Sequence, residues 1–152
     1  MTDTNFRLAR SDDLDGLLLL YRELRPADPD FDGPPAAQAL ARVLQSDATR
    51  LVVAEHGGKL AATCMLAIIP SLPRLGQPIG LLEHVVTAAA WRGRGIGLAM
   101  LRHALALAWQ AGCCKVMLLS GTQREAAHRL YVAAGFDGDR ERGFVIKAPM
   151  AG

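Results

Sequence analysis

Arg92-Gly93-Arg94-Gly95-Ile96-Gly97 is the stretch of this 152-residue chain best equipped to hold an anion. Its small residues leave successive backbone N–H groups uncovered just where an amphipathic helix begins. A helix N-terminus carries about half a positive charge, and N–H groups pointing along it suit a pyrophosphate. Arg92 and Arg94 add charge that matches phosphate oxygens. The plainer alternative is a glycine-rich connection with two solvated arginines. Spacing narrows the ligand. A P-loop would end in Gly-Lys-Ser/Thr, and Ile96-Gly97-Leu98 has neither the lysine nor the hydroxyl. A dinucleotide turn would read G-x-G-x-x-G with an acidic residue about 20 positions on. Here the glycines fall at 93, 95 and 97, and the next strand ends at Ser120 without Asp or Glu.

Two further residues stand out by context. Glu83 and His84 interrupt Gly80–Thr87, an otherwise mostly apolar strand of the kind covered on both faces. The histidines (His56, His84, His103, His128) and cysteines (Cys64, Cys113, Cys114) fall in no metal-ligand frame, so no metal is expected. The cysteines read as small buried hydrophobes of a reducing compartment.

The whole composition agrees with one folded domain spanning 1–152. Hydrophobic residues make up 51% and charged residues 21%, which excludes intrinsic disorder. A net charge of +2 is too balanced for a protein living on nucleic acid or anionic lipid. The longest uncharged stretch, Leu60–Pro73, carries two prolines and falls short of the ~20 apolar residues of a membrane span. No apolar segment follows Arg7 and Arg10 as a secretory signal would require. A soluble, cytoplasmic protein is expected.

The elements that must position these residues follow from periodicity. Asn5–Ala9 reads as a strand, and Ser11 as the N-cap of a helix with Asp12 and Asp13 in its first turn. Leu14, Leu17, Leu18 and Tyr21 share a face of that helix, which fades before Pro26. A second helix starts near Pro35. Arg50–Glu55 and Lys59–Ile69 form a hairpin about Gly57-Gly58. Gly80–Thr87 follows as a strand. A helix from about Gly95 to Ala111 carries Leu98, Leu101, Leu105, Ala108 and Trp109 on one stripe. Val116–Ser120 is a strand, Thr122 caps a helix over Arg124–Ala134, and Phe144–Lys147 is a last strand. The sum is an α/β (α+β mixed) fold, one mixed sheet with helices on both faces.

Three blocks of this chain resemble the GNAT family, the Gcn5-related N-acetyltransferases, in order and distance. They are Leu81-Leu82-Glu83-His84-Val85-Val86-Thr87, the Trp91–Leu98 turn, and Ala126–Phe136 with its Tyr131. The resemblance extends over nearly the whole length. Within the family, Gly112-Cys113-Cys114-Lys115-Val116 looks like the glucosamine-6-phosphate N-acetyltransferases. Ala127-His128-Arg129-Leu130-Tyr131 looks equally like the small aminoalkylphosphonate acetyltransferases. Both likenesses cover the cofactor half, so neither fixes an acceptor.

The resemblance implies the GNAT fold, with a V-shaped splay between strands Gly80–Thr87 and Val116–Ser120, often at a β-bulge. It implies acetyl-CoA as cosubstrate. The pantetheine arm would pair with the backbone of Val85, Val86 and Thr87, and the pyrophosphate would sit on Arg92, Gly93, Arg94, Gly95, Ile96, Gly97 and Leu98. Acetyl transfer to an amine needs a base, a stabilised thioester oxygen and a proton for the leaving thiolate. Glu83 is the candidate base, since burial raises carboxylate pKa values toward the useful range. Its alternative is a structural carboxylate paired with an arginine. His84 is a second choice, on the opposite face if the strand is regular. Tyr131 is the candidate acid; its alternative is a buried aromatic with a satisfied hydroxyl.

The function so implied is acetylation of the primary amine of a small molecule. A protein or peptide acceptor, or a non-catalytic acyl-CoA sensor, are the alternatives. Similar small enzymes often dimerise, sometimes by exchanging a C-terminal strand such as Phe144–Lys147, so a homodimer is expected.

Overall fold

A computed structural model describes residues 3–149. Its strands are β1 (Asn5–Leu8), β2 (Thr49–His56), β3 (Lys59–Ile69), β4 (Ile79–Thr87) and β5 (Lys115–Leu118). Its helices are α1 (Leu14–Leu24), α2 (Gly33–Gln45), α3 (Ile96–Gln110) and α4 (Glu125–Ala134). The strands form one sheet in the order β1-β2-β3-β4-β5. Neighbours are antiparallel except β4 and β5, which run parallel because α3 crosses over between them.

Alternation along β2 sorts the core. Leu51 and Val53 face α1 and α2, packing with Leu17 and Leu40. Val52 and Ala54 face the other way, onto Met100, Leu101, Ala104 and Ala108 of α3. The expected sheet with helices on both faces is therefore present. Pro34 and Pro35 fall in the first turn of α2, where a missing N–H costs nothing.

Several local expectations change. Ser11 does not cap α1; it opens a short 3-10 turn, Ser11–Asp13. The Asp13 carboxylate instead accepts the Arg10 backbone N–H at 2.7 Å and takes both terminal nitrogens of Arg7 at 2.8 and 3.0 Å. Arg7 in turn donates through Nε to Glu55 at 2.9 Å. Thr122 does not cap α4, because a backbone bond from Arg124 to Gly121 closes the preceding turn and the helix starts at Glu125. On α3 the buried positions are Ile96, Gly97, Met100, Leu101, Ala104 and Ala108, while Trp109 is 52% exposed. Trp109 follows Ala108 on the helix and so lies off the face that meets the sheet.

The predicted strand Phe144–Lys147 is absent. The segment passes β5 with Lys115 bonded to Glu141, yet no ladder pairs it to the sheet. Phe144 and Ile146 stand almost fully exposed. A strand exists through its partners' hydrogen bonds, so alternation alone could not secure one here. Among the described residues β5 is consequently an edge of the sheet.

Candidate functional site

β4 and β5 stay paired only from Ile79 opposite Lys115 to Leu82 opposite Leu118. Beyond that rung they part. The cause lies on the other edge of β4. Met65 of β3 faces Glu83 and Thr63 faces Val86, so β4 carries one extra residue across this step. His84 takes up the bulge in the left-handed region, with φ of +55°. A bulge sharpens local twist and bends its strand, here away from β5. The expected V-shaped splay at a bulge is present.

The opening is a cleft of about 200 Å³. Leu82, Glu83, His84 and Val85 form one arm, Leu118, Leu119, Ser120 and Gly121 the other, and Arg124 and Tyr131 of the α4 region close it. The bulge breaks the strict alternation of the strand, so Glu83 and His84 both reach this cleft. Glu83 is half-buried rather than enclosed. The Tyr131 side of α4 packs into the main core, with its ring 6.2 Å edge-on from Phe136. Burial pushes the Tyr131 phenol above its ordinary pKa; Arg124 opposes the rise, while Cys64 and Glu83 add to it. The phenol therefore keeps its proton at neutral pH.

Val86 contributes no side chain here: it is buried against Leu20 and Ala88 on the α1 side. Past Thr87 the chain makes a 3-10 turn, Ala89–Trp91, and then the glycine-rich turn. Gly93 and Gly95 both have φ of +78°, a left-handed conformation that L side chains rarely adopt. Space is not the reason, since a Cβ at either would meet nothing within 4 Å. At Gly97 space is the reason: a Cβ there would lie 3.0 Å from the Thr87 hydroxyl and 3.5 Å from Leu130.

No side chain caps α3, and its first intrahelical bond runs from Ala99 to Gly95 at 3.1 Å. Among the described residues the N–H groups of Gly93 through Leu98 meet no acceptor. The two arginines are placed differently. Arg92 donates through Nε to the Thr87 carbonyl at 3.1 Å, tying the turn to β4. Arg94 lies over the Trp91 ring, 4.7 Å from its centroid. The turn sits at the end of β4 and is not part of the cleft wall itself.

The sequence reading missed Ser120. Its hydroxyl is buried in the cleft wall without a partner among the described residues. A buried hydroxyl left unpaired is costly, and a polar ligand would satisfy it. The only signal was a serine beside Gly121 at a strand end. His128 is otherwise engaged, donating from its ring to the Gly121 carbonyl at 2.8 Å. Cys64 and Cys113 are buried as expected, with the Cys64 thiol pushed up to about 12 by burial; Cys114 is only half-buried. No helix among the described residues is long and apolar enough to cross a membrane.

A parallel strand pair split at a bulge, beside a helix start with free N–H groups, is the arrangement that the resemblance to the acetyltransferases implied. The chain belongs to the acetyltransferase (GNAT) family, whose model matches residues 17–136, and it is an enzyme of the N-acetyltransferase class. It is 34% identical over 117 residues to the "Probable glucosamine 6-phosphate N-acetyltransferase 2" of Oryza sativa subsp. japonica, covering 74% of this chain and 70% of that one. It is 28% identical over 136 residues to the glucosamine 6-phosphate N-acetyltransferase of Trypanosoma brucei brucei, covering 90% of each. A solved structure from Agrobacterium tumefaciens str. C58, assigned as an acetyltransferase, superposes with a TM-score of 0.91 at 40% identity, covering 95% of this chain and 99% of that one.

Proposed function

We propose that the chain transfers an acetyl group from acetyl-CoA to the primary amine of a small molecule by direct attack. The observation that carries this is the cleft itself, where Glu83 and Tyr131 meet at the point where β4 and β5 part. The donor would thread from the uncapped start of α3 into that cleft. Its pyrophosphate would accept N–H groups of the Arg92–Leu98 turn, and its pantetheine amides would pair with the free edge of β4 at Val85, Val86 and Thr87. Ser120 supplies a further hydroxyl partner in the wall. The fit rests on the free N–H groups of Gly93 through Leu98 and on the unpaired Ser120 hydroxyl.

In the proposed reaction Glu83, directly or through water, takes the proton of the acceptor ammonium. The amine nitrogen attacks the thioester carbonyl carbon, and the carbon–sulfur bond breaks as the carbonyl reforms. Tyr131 gives its proton to the departing thiolate, and the second proton, shed by the attacking nitrogen as the amide forms, returns to the phenolate. A phenol held protonated by burial suits that task. His84 reaches the same cleft and is the alternative base. The cleft adjoins a second cavity of about 560 Å³, a volume that suits a small acceptor. Retained Glu83 and Tyr131 favour an enzyme over an acyl-CoA sensor. The relatives that act on glucosamine 6-phosphate by name are consistent with a small amine. A cytoplasmic homodimer completes the proposal, with the exposed Phe144 and Ile146 as the strand to exchange.

Release of free thiol from acetyl-CoA in the presence of an amine panel tests the activity. CoA at a hundredfold excess over its dissociation constant should add about 2.7 kcal/mol of stability. NAD or ATP should add far less, and the reverse ranking would overturn the donor assignment. Sedimentation as a monomer at micromolar concentration would overturn the dimer.

A further inference from the structure

The reaction cleft has a neighbour. Between α1, α2 and the sheet lies a second cavity of about 560 Å³, within the range of about 300–1,000 Å³ usual for small-ligand sites. His84 and Arg25 line both cavities, so the two join at the bulge of β4. The floor is apolar, built from Leu17, Leu40, Leu51 and Met65 among others. Leu17, Leu40 and Leu51 are themselves buried. Tyr21 stands at the junction, with its ring 6.2 Å from that of His84.

Charge appears only at the rim, and it cancels. Arg22 and Arg25 are matched by Asp28 and Asp30. Arg25 is already held by Asp28 at 2.8 Å. A phosphate monoester carries up to two negative charges and requires converging cations or N–H groups to replace its water. This cavity gives it one uncommitted guanidinium, on the exposed Arg22, above a hydrocarbon floor. An aminosugar would also leave its hydroxyls facing leucine side chains, and unpaired hydroxyls are strongly disfavoured in such a pocket.

We propose that the acceptor is a primary amine borne on a hydrocarbon body, and that the cavity between α1 and α2 binds that body while the amine projects past His84 to Glu83. The proposal rests on the acetyltransferase reading above and narrows its substrate. It departs from the acceptor named for the curated relatives. Selectivity here would come from shape and desolvation, with the rim acids Asp28 and Asp30 offsetting the arginines for an incoming cation.

The test is thiol release from acetyl-CoA with 2-phenylethylamine, isopentylamine, glucosamine and glucosamine 6-phosphate as probes. The two hydrocarbon amines should exceed both sugars at least tenfold in kcat/KM. Ala39→Phe, which fills the cavity from α2, should remove at least tenfold of the hydrocarbon-amine kcat/KM, mostly through KM. Ala37→Phe, one exposed turn position outside the lining, should leave it unchanged. The CoA-induced rise in melting temperature shows that each variant is folded and that the donor site is intact. A hydrocarbon-amine rate no higher than that of glucosamine 6-phosphate, zero included, overturns the proposal while leaving the donor assignment standing if CoA still stabilises. An unchanged rate in a folded Ala39→Phe also overturns it. Loss of the CoA effect in the wild-type chain overturns the acetyltransferase reading, and this proposal with it.

Discussion

On the α3–α4 face of the sheet, Met100, Leu101, Ala104 and Ala108 close onto Val52, Ala62, Cys64 and Leu66 with no exposed surface at any of them. On the α1–α2 face, Leu17 and Leu40 meet Leu51 and Val53 around a cavity of about 560 Å³. The difference follows from residue size. Gly97 lets α3 approach within contact of Thr87, and its alanines sustain that approach along the helix. α1 and α2 stand off behind leucines and Tyr21. In the proposed reaction the first face would serve as a fixed platform whose backbone meets the acetyl donor. The second would be a side-chain mould for the proposed acceptor.

If the platform works through backbone N–H groups, a single substitution in the turn should have the largest effect of all. Gly95→Asp places an L side chain at φ +78° and a negative charge beside the proposed pyrophosphate. Acetyl-CoA binding should be abolished in calorimetry, with the fold retained at some cost in stability, because a Cβ at Gly95 meets no neighbour and Asp tolerates the left-handed region better than most residues. Unchanged affinity in the folded variant would remove the turn from the site and with it half of the contrast.

At the junction of the two faces the proton carriers should separate cleanly. Tyr131→Phe keeps the ring in its contact with Phe136 and removes only the hydroxyl. Turnover should fall by about 10²–10⁴ with CoA binding largely retained. Wild-type turnover with chemistry rate-limiting would mean that the thiolate leaves unaided. Glu83→Gln should lose most at low pH, where the acceptor amine is protonated. Above the pKa of that amine much of the rate should return, because the free amine needs no base. A pH-independent defect would make Glu83 a binding or structural residue.

The platform was also the more legible half in sequence. Glycines at 93, 95 and 97 mark backbone conformations and close approaches that no other residue makes easily, so their spacing carried information. The β2–β3 hairpin followed from Gly57-Gly58, both at positive φ, and β3 spans Lys59–Ile69 as expected. The mould was not legible. A cavity is the volume left by how two helices stand over a sheet, and the periodicity of Leu14, Leu17 and Tyr21 says only which side they face. Trp109 is apolar yet 52% exposed, because it falls one position past the Met100, Leu101, Ala104 and Ala108 face that meets the sheet. Ser120 was invisible because an orphaned hydroxyl is a property of its surroundings.

The smallest effect concerns what holds the mould in place. Asp13 ends the turn before α1 and grips Arg7 of β1, with the two side chains only 9% and 17% exposed. The Arg7 hydrogen bonds hold the Asp13 carboxyl below its ordinary pKa, with the Arg10 N–H helping and burial opposing. Folded chain therefore binds this proton less readily than unfolded chain. The stability so gained is complete above the unfolded pKa near ~4 and is lost as pH falls through the lower folded value. Asp13→Asn should cost about 1–3 kcal/mol at pH 7, the range for hydrogen bonds to charged groups left without their partner. The gap to wild type should stay constant down to about pH 5 and narrow below pH 4 in urea titrations. Because the clamp anchors α1 and not α3, the variant should raise the acceptor KM while leaving CoA affinity as it was. A change in CoA affinity as large as the change in acceptor KM would show that the two faces are one mechanical unit, and the contrast between platform and mould would fail.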